Sequence, residues 1–162
     1  MRNRYGRFSN AIACIYHDIQ KIERAEMARY GLKGPHAQCL LEIGDFPDGV
    51  TAARLCENCE KDKAAISRIL AELEQAGMIL REKRNGTVYR AKLYLTERGK
   101  AAAQAVAEKA QLAVELAGTG LKESDRETFY AVLGRIAGNL QGICKEGLGK
   151  REYELRRLYG GR

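Results

Sequence analysis

The sequence predicts a mainly α-helical chain with one small β-hairpin (an α+β chain), and three observations carry this prediction. Apolar residues recur at helical spacing through several long segments of the 162 residues. Proline occurs only twice, which suits long helices. One Asn85-Gly86 pair lies between two short β-prone segments, and such a pair favours a tight hairpin turn.

The first two predicted helices are defined by their apolar stripes and by the residues that bound them. Residues 7–29 form one amphipathic stretch, and Gly31 can end it. Pro35 is suited to the first turn of the next helix, which should end near Gly44. The segment 44–49 contains both glycine and proline and is therefore a predicted loop.

The third and fourth predicted helices lie close together and are joined by a short turn. Thr51 is a suitable N-cap for a helix that runs to about Cys59. Asp62 is a suitable cap for the fourth helix, residues 63–76, and Gly77 can terminate it. We therefore expect a helix-turn-helix in this part of the chain.

The predicted hairpin and the last two helices follow. Residues 78–83 and 87–95 read as the two strands of the hairpin. An alanine-rich helix then runs over residues 96–117. Ser124 and Glu127 have the spacing of a capping box and should begin the final helix.

A helix-turn-helix followed by a basic hairpin is typical of the winged helix-turn-helix fold. We divide the chain into an N-terminal helix (1–34), a winged helix-turn-helix DNA-binding domain (35–100) and C-terminal helices with a basic tail (101–162). The first and last helices carry wide apolar stripes outside the compact central unit, and such stripes must be buried. We expect these helices to dimerise the chain, so that two reading helices meet half-sites one helical turn apart.

The distribution of charge indicates where a polyanion would bind. The net charge is +7, and residues 78–100 alone carry seven basic and two acidic side chains. A basic excess of this kind is common among proteins that bind nucleic acids. The hairpin is therefore the densest candidate contact with a nucleic-acid backbone.

The fourth helix could read base edges in the major groove. Its apolar residues should face the core, which leaves Lys63, Ser67 and Arg68 outward. Arginine and lysine can donate to guanine, and small neighbouring residues allow close approach. The alternative is an ordinary surface helix with two solvated cations.

The hairpin could hold phosphates. A two-residue turn would set Arg84 opposite Thr87 and place Arg81, Lys83, Arg90 and Lys92 on one face. Like charges opposed across strands are unfavourable unless an anion lies between them. The alternative is a solvated edge hairpin whose charges only prevent aggregation.

Three segments of the chain resemble the MarR family of transcriptional regulators. They are G-L-K-G-P-H-A-Q-C-L-L-E-I (31–43), D-K-A-A-I-S-R-I-L-A-E-L-E-Q-A-G-M-I (62–79) and R-A-K-L-Y-L-T-E-R-G (90–99). The resemblance implies a homodimeric, sequence-specific regulator of double-stranded DNA, usually a ligand-responsive repressor acting on a pseudo-palindromic operator. It places Ser67 and Arg68 on the recognition helix and Arg90 at the wing arginine, with Val88 where the family usually has aspartate.

The complete set of expected DNA contacts combines these arguments. Lys63, Ser67 and Arg68 of the fourth helix are expected to contact the major groove. Lys83, Arg84 and Arg90 of the hairpin are expected to contact the flanking backbone or the minor groove. Thr51, at the start of the third helix, and Lys61, in the turn, are expected to contact phosphates.

Two kinds of regulatory site are candidates, one for a small-molecule effector and one for oxidation of a cysteine. A small-molecule effector could bind between the first two helices and the reading unit, with His17, Tyr30 and His36 as lining candidates, although core or surface roles suit each of them equally. Some relatives that sense organic peroxides use a cysteine on the first helix, which makes Cys14 the candidate for a redox-sensing variant. The other four cysteines, Cys39, Cys56, Cys59 and Cys144, read as structural thiols in a core.

Several classes of protein are disfavoured by the sequence. No nucleophile motif, phosphate loop or second C-x-x-C accompanies Cys56 and Cys59, so we expect neither an enzyme nor a metal or other cofactor. No apolar run approaches the length of a membrane span, and the run 11–16 is too short for a signal peptide, so we expect a cytoplasmic protein that binds no membrane. A winged-helix module that binds proteins instead of DNA remains the alternative class.

Overall fold

The computed structural model describes residues 3–84, 87–149, 152, 153 and 157, and the side chains of residues 83, 84 and 87–90 fall outside that description. In chain order the helices are α1 (Arg4–Ala28), α2 (Gly34–Gly44), α3 (Ala52–Asn58), α4 (Lys63–Gln75), α5 (Glu97–Ala117) and α6 (Glu123–Glu146). The strands are β1 (Val50–Thr51), β2 (Ile79–Arg84) and β3 (Thr87–Leu95). The predicted mainly α-helical class with a small hairpin is confirmed.

The hairpin is part of a three-stranded antiparallel sheet in the order β1-β3-β2. Strand β1 is not predicted by the sequence, because two residues are too few for a recognisable alternation. Val50 pairs with Leu93 and Thr51 pairs with Lys92, so the chain entering α3 is fixed to the hairpin. The start of the helix-turn-helix and the wing therefore share one sheet.

Two of the predicted helix caps are present, and one prediction is wrong. The Thr51 hydroxyl accepts a hydrogen bond from the Arg54 backbone N–H at 3.3 Å, and the Asp62 carboxylate accepts one from Ala65 at 2.7 Å. Helix α6, however, has Lys122 at its N-cap and no side-chain cap. Ser124 lies inside that helix, where its carbonyl accepts a hydrogen bond from the Thr128 hydroxyl at 2.7 Å.

The hydrophobic core lies among α2, α3, α4, the sheet and the first half of α5. Its fully buried side chains come from every one of these elements, which is why the helix-turn-helix is held rigidly on the sheet. The largest of them are Leu40, Ile43, Leu55, Ile66, Leu70, Leu73, Met78, Leu93 and Val106.

The chain divides into two compact units, Met1–Glu115 and Leu116–Arg162. The first unit contains the core described above. In the second unit, none of the residues of α6 is buried, although Phe129, Val132 and Leu140 follow one another at helical spacing. Among the residues that the structure describes, no helix has both the length and the apolar character needed to span a membrane.

Candidate nucleic-acid interface

Helix α4 buries one face and exposes the other, as the sequence predicts. Ile66, Ile69, Leu70 and Leu73 are at most 9 % exposed and lie in the core. On the opposite side lies an exposed strip of small and basic residues, which we call the reading face: Lys63, Ala64, Ser67, Arg68, Ala71 and Gln75. Burial of a whole aliphatic face fixes which side chains point outward.

The reading face combines small side chains with hydrogen-bond donors. Arg68 donates from Nε to the carbonyl of Ala64 at 3.3 Å, so its guanidinium lies along the exposed strip. Lys61, in the turn before the helix, is half-buried. Small residues let a helix backbone approach a groove closely, and arginine and lysine donate to guanine or phosphate.

Two carboxylates of α4, Glu72 and Glu74, lie next to residues of the reading face and contact cations of other elements. Glu72 lies 3.1 Å from the Lys33 ammonium, which precedes α2. Glu74 accepts two hydrogen bonds from Arg81 of β2, at 2.9 Å from Nε and 3.0 Å from Nη2. The Lys33 hydrogen bond lowers the pKa of Glu72, and the Glu74 hydrogen bond raises the pKa of Arg81, so each interaction favours the charged form of Glu72 and of Arg81.

The register of the hairpin corrects one prediction. Arg84 does pair with Thr87, but Arg81 pairs with Leu93 and Glu82 with Lys92. From the Glu82–Lys92 pair to the Arg84–Thr87 pair, two residues of β2 are matched by five residues of β3. The ladder is therefore irregular, and Arg81 does not oppose Arg90. A turn motif fixes the pairing next to it and carries no information about such an irregularity further along.

The predicted face of four aligned cations is therefore not present. Arg81 faces Glu74, and the Lys92 ammonium donates to the Asp48 carbonyl at 2.6 Å. The three hairpin residues that are expected to contact DNA are Lys83, Arg84 and Arg90; their side chains lie outside the described residues, so their contacts stay predictions.

Thr51, a predicted phosphate contact, lies where α3 begins. Its hydroxyl oxygen already accepts the capping hydrogen bond, and it is half-buried next to Lys92 of β3. A hydroxyl can donate while it accepts, so its proton remains available to a phosphate oxygen.

A polar cavity of about 230 Å³ lies between α1, α2 and the turn before α4. Its lining includes Glu23 of α1, Gln38 of α2 and Lys61 of the turn. Burial raises the pKa of Glu23, and the nearby Lys61 charge opposes that rise. The cavity therefore connects the first two helices directly to the residue that precedes the cap of α4.

None of the three predicted effector-lining residues lines this cavity, but His36 lines a second one, of about 340 Å³, between α2 and α4. His17 is exposed beside Asp18, and Tyr30 is half-buried against the core. His36 is 2 % exposed, and its Nε2 lies 3.1 Å from Glu72 of α4. Sequence reasoning missed Glu23 and Lys61 as lining residues because they show no motif and come together only through the packing of α1 on the turn.

The cysteines fall into two groups. Cys39 and Cys59 are buried with their sulfur atoms 4.0 Å apart, and burial raises the pKa of Cys39 to about 12. Cys56 is half-buried, whereas Cys14 and Cys144 are exposed. The expectation of a core position for Cys144 is therefore wrong for the single chain, because α6 has no buried face. In the described part of the chain, no group of three or more His, Cys, Asp or Glu side chains could hold a metal ion.

These features define a winged helix-turn-helix: a turn-linked helix pair, a reading face on its second helix and an antiparallel hairpin behind it. Comparison with known proteins finds a family model that resembles part of the chain. The sequence model of the MarR family matches residues 30–87. Comparison with curated proteins gives no match.

Solved structures of MarR-family regulators share the fold. The transcriptional regulator SlyA is 22 % identical, with a TM-score of 0.74 over 82 % of this chain and 93 % of its own. MarR is 24 % identical, with a TM-score of 0.72 over 85 % and 93 %. A putative MarR-family regulator from Listeria monocytogenes, crystallised with a 26-mer DNA, is 18 % identical, with a TM-score of 0.75 over 91 % and 97 %. The resemblance to the MarR family is thus confirmed, and the chain has the fold of its transcription regulators.

The burial of the cysteines predicts their reactivity. We expect iodoacetamide at pH 8 to modify Cys14 at least about tenfold faster than Cys39 and Cys59, since the thiolate is the reactive form and buried thiols rarely ionise. Peptide mass spectrometry after timed quenching measures each rate. All five cysteines should react alike in denaturant, and rapid modification of Cys39 in the native protein would contradict the packing described above.

Proposed function

We propose that this chain is a sequence-specific transcription regulator that binds double-stranded DNA as a homodimer on a pseudo-palindromic operator. The observation that carries the proposal is the reading face of α4, which presents Ser67 and Arg68 on a rigidly packed helix. The MarR-family match over residues 30–87 and the DNA bound by the Listeria protein support it. No enzymatic activity is part of the proposal.

Each proposed contact has a separate role on the duplex. Lys63, Ser67 and Arg68 read base edges in the major groove, where arginine can hold guanine through two hydrogen bonds. Thr51 and Lys61 contact phosphates at the ends of the helix pair. The hairpin residues Lys83, Arg84 and Arg90 hold the flanking backbone or the minor groove.

The homodimer is supported by apolar faces that the chain leaves uncovered. On α1, Phe8, Ile12, Ile15, Tyr16 and Ile19 are each between 37 and 57 % exposed. On α6, Phe129 and Val132 are about half exposed. Surfaces of this kind mark protein interfaces, and a twofold mate that contributes the same helices would cover them.

The proposed regulator is a repressor that releases DNA when an effector binds. The cavity beside Lys61 supports this step, since a ligand there contacts α1, α2 and the residue next to the Asp62 cap. A molecule that moves this turn changes the position of α4, and with it the affinity for the operator. We place the regulator in the cytoplasm, where its DNA target lies.

The proposal is tested by selecting genomic DNA fragments on the purified protein at about 150 mM salt, where purely ionic contacts are weakened. We expect enrichment of an inverted repeat whose half-site centres lie roughly 10 base pairs apart, one turn of the duplex. The Arg68→Ala variant is the matched control and should lose the enrichment. Binding without enrichment would contradict sequence-specific regulation and favour the protein-binding alternative.

The dimer is tested on α1. Ile15→Glu places a charge in the apolar stripe, so we expect sedimentation equilibrium to show monomers at concentrations where the unaltered chain is dimeric. Asn10→Glu adds the same charge to the opposite side of the helix and should leave the dimer intact. If Ile15→Glu stays dimeric, α1 is not in the interface.

A further inference from the structure

The two carboxylates of α4 flank the arc of its reading face that holds Ser67 and Arg68, and Lys63 lies just beyond Glu74. At about 100° per residue, Glu72 follows Arg68 by about 40° around the helix, and Glu74 precedes Ser67 by about 20°. Both are half-buried, whereas the residues between them are exposed. Negative charge at these positions would repel phosphates unless cations balanced it.

Each carboxylate is tied to a different neighbour of α4. Glu72 lies 3.1 and 3.4 Å from the ammonium of Lys33, the N-cap residue of α2. Glu74 is held by Arg81 through two hydrogen bonds in a fork arrangement, and Arg81 belongs to β2 of the wing. The recognition helix is therefore linked on one side to α2 and on the other to the wing.

The contact between α2 and Glu72 also involves His36, which is buried. His36 Nδ1 lies 3.0 Å from the Lys33 backbone nitrogen and 2.9 Å from the Lys33 carbonyl oxygen, so the ring is held against the N-cap residue of α2. Nε2 approaches Glu72 to 3.1 Å but without hydrogen-bond geometry. The contact is an electrostatic one, and the Lys33 ammonium supplies the hydrogen bonds.

We propose that Glu72 and Glu74 are positioning residues that fix the rotation of α4 relative to α2 and to the wing. The inference rests on the proposed DNA reading by α4. Apolar packing is non-directional and tolerates small rotations, whereas charge-assisted hydrogen bonds fix direction. A rotation of about 20° at the helix axis moves an arginine tip by roughly 2–3 Å, enough to break a bidentate contact with guanine.

The positioning role and simple electrostatics predict opposite changes in operator affinity when one of these carboxylates is removed. Removing a carboxylate raises the net charge from +7 to +8 and, by charge alone, should strengthen binding to any DNA. If Glu72 and Glu74 position the reading face, their loss instead weakens binding to the selected operator while binding to random DNA stays equal or rises. The ratio of operator affinity to random-DNA affinity therefore distinguishes a positioning role from a simple effect of charge.

The experiment compares Glu72→Gln, Glu74→Gln and the double variant with the unaltered chain, on the operator and on random duplex of equal length. We expect each single substitution to lower the operator affinity by about fivefold, the scale of one partly exposed ion pair, and random-DNA affinity not to fall. Glu57→Gln is the matched control, because Glu57 is exposed and pairs with Arg54 of its own helix, α3. Lys33→Arg keeps the cation and should retain operator binding.

Amide hydrogen exchange supplies a second readout. We expect faster exchange over residues 63–75 in the double variant, while exchange of α5 stays unchanged because the fold persists. Operator affinity equal to or above that of the unaltered chain in Glu72→Gln and Glu74→Gln would overturn the positioning role. If instead the unaltered chain does not prefer the operator to random DNA, it is the proposed function that fails.

Discussion

The burial of one aliphatic face of α4 is the constraint on which the rest of the structure depends. Ile66, Ile69, Leu70 and Leu73 insert into a core built from α2, α3, the sheet and α5. Because those four positions are fixed inside, Ser67 and Arg68 can only lie outside. The reading face is therefore a consequence of core packing, and the two flanking carboxylates refine an orientation that the core has already chosen.

Local signals in the sequence were sufficient for most of the fold. Thr51 and Asp62 correctly predicted where α3 and α4 begin, because capping depends on residues only three positions apart. The faces of α4 follow from periodicity alone. The prediction failed where long-range pairing decides the outcome: the irregular β2–β3 ladder turned Arg81 toward Glu74, and β1 exists only because β3 is beside it. Ser124 shows that even a capping-box pattern can be overridden when the helix extends by two residues at its N-terminus.

The candidate site was less predictable than the fold, for a physical reason. The outward residues of α4 could be named from their spacing, but the partners of Glu72 lie 39 and 36 positions away in sequence. No periodic pattern reports such contacts. Likewise, the cavity beside Lys61 depends on how α1 packs against the turn. This cavity and the reading face thus meet at the short turn before α4.

The most direct test of this account is guanine N7 protection from dimethyl sulfate on the selected operator. N7 lies in the major groove, where Arg68 would contact it. The account predicts two protected clusters centred roughly 10 base pairs apart, one for each copy of α4. In Arg68→Ala the protection should disappear while residual backbone binding remains. Tight operator binding that leaves every guanine N7 reactive would contradict the placement of α4 in the major groove.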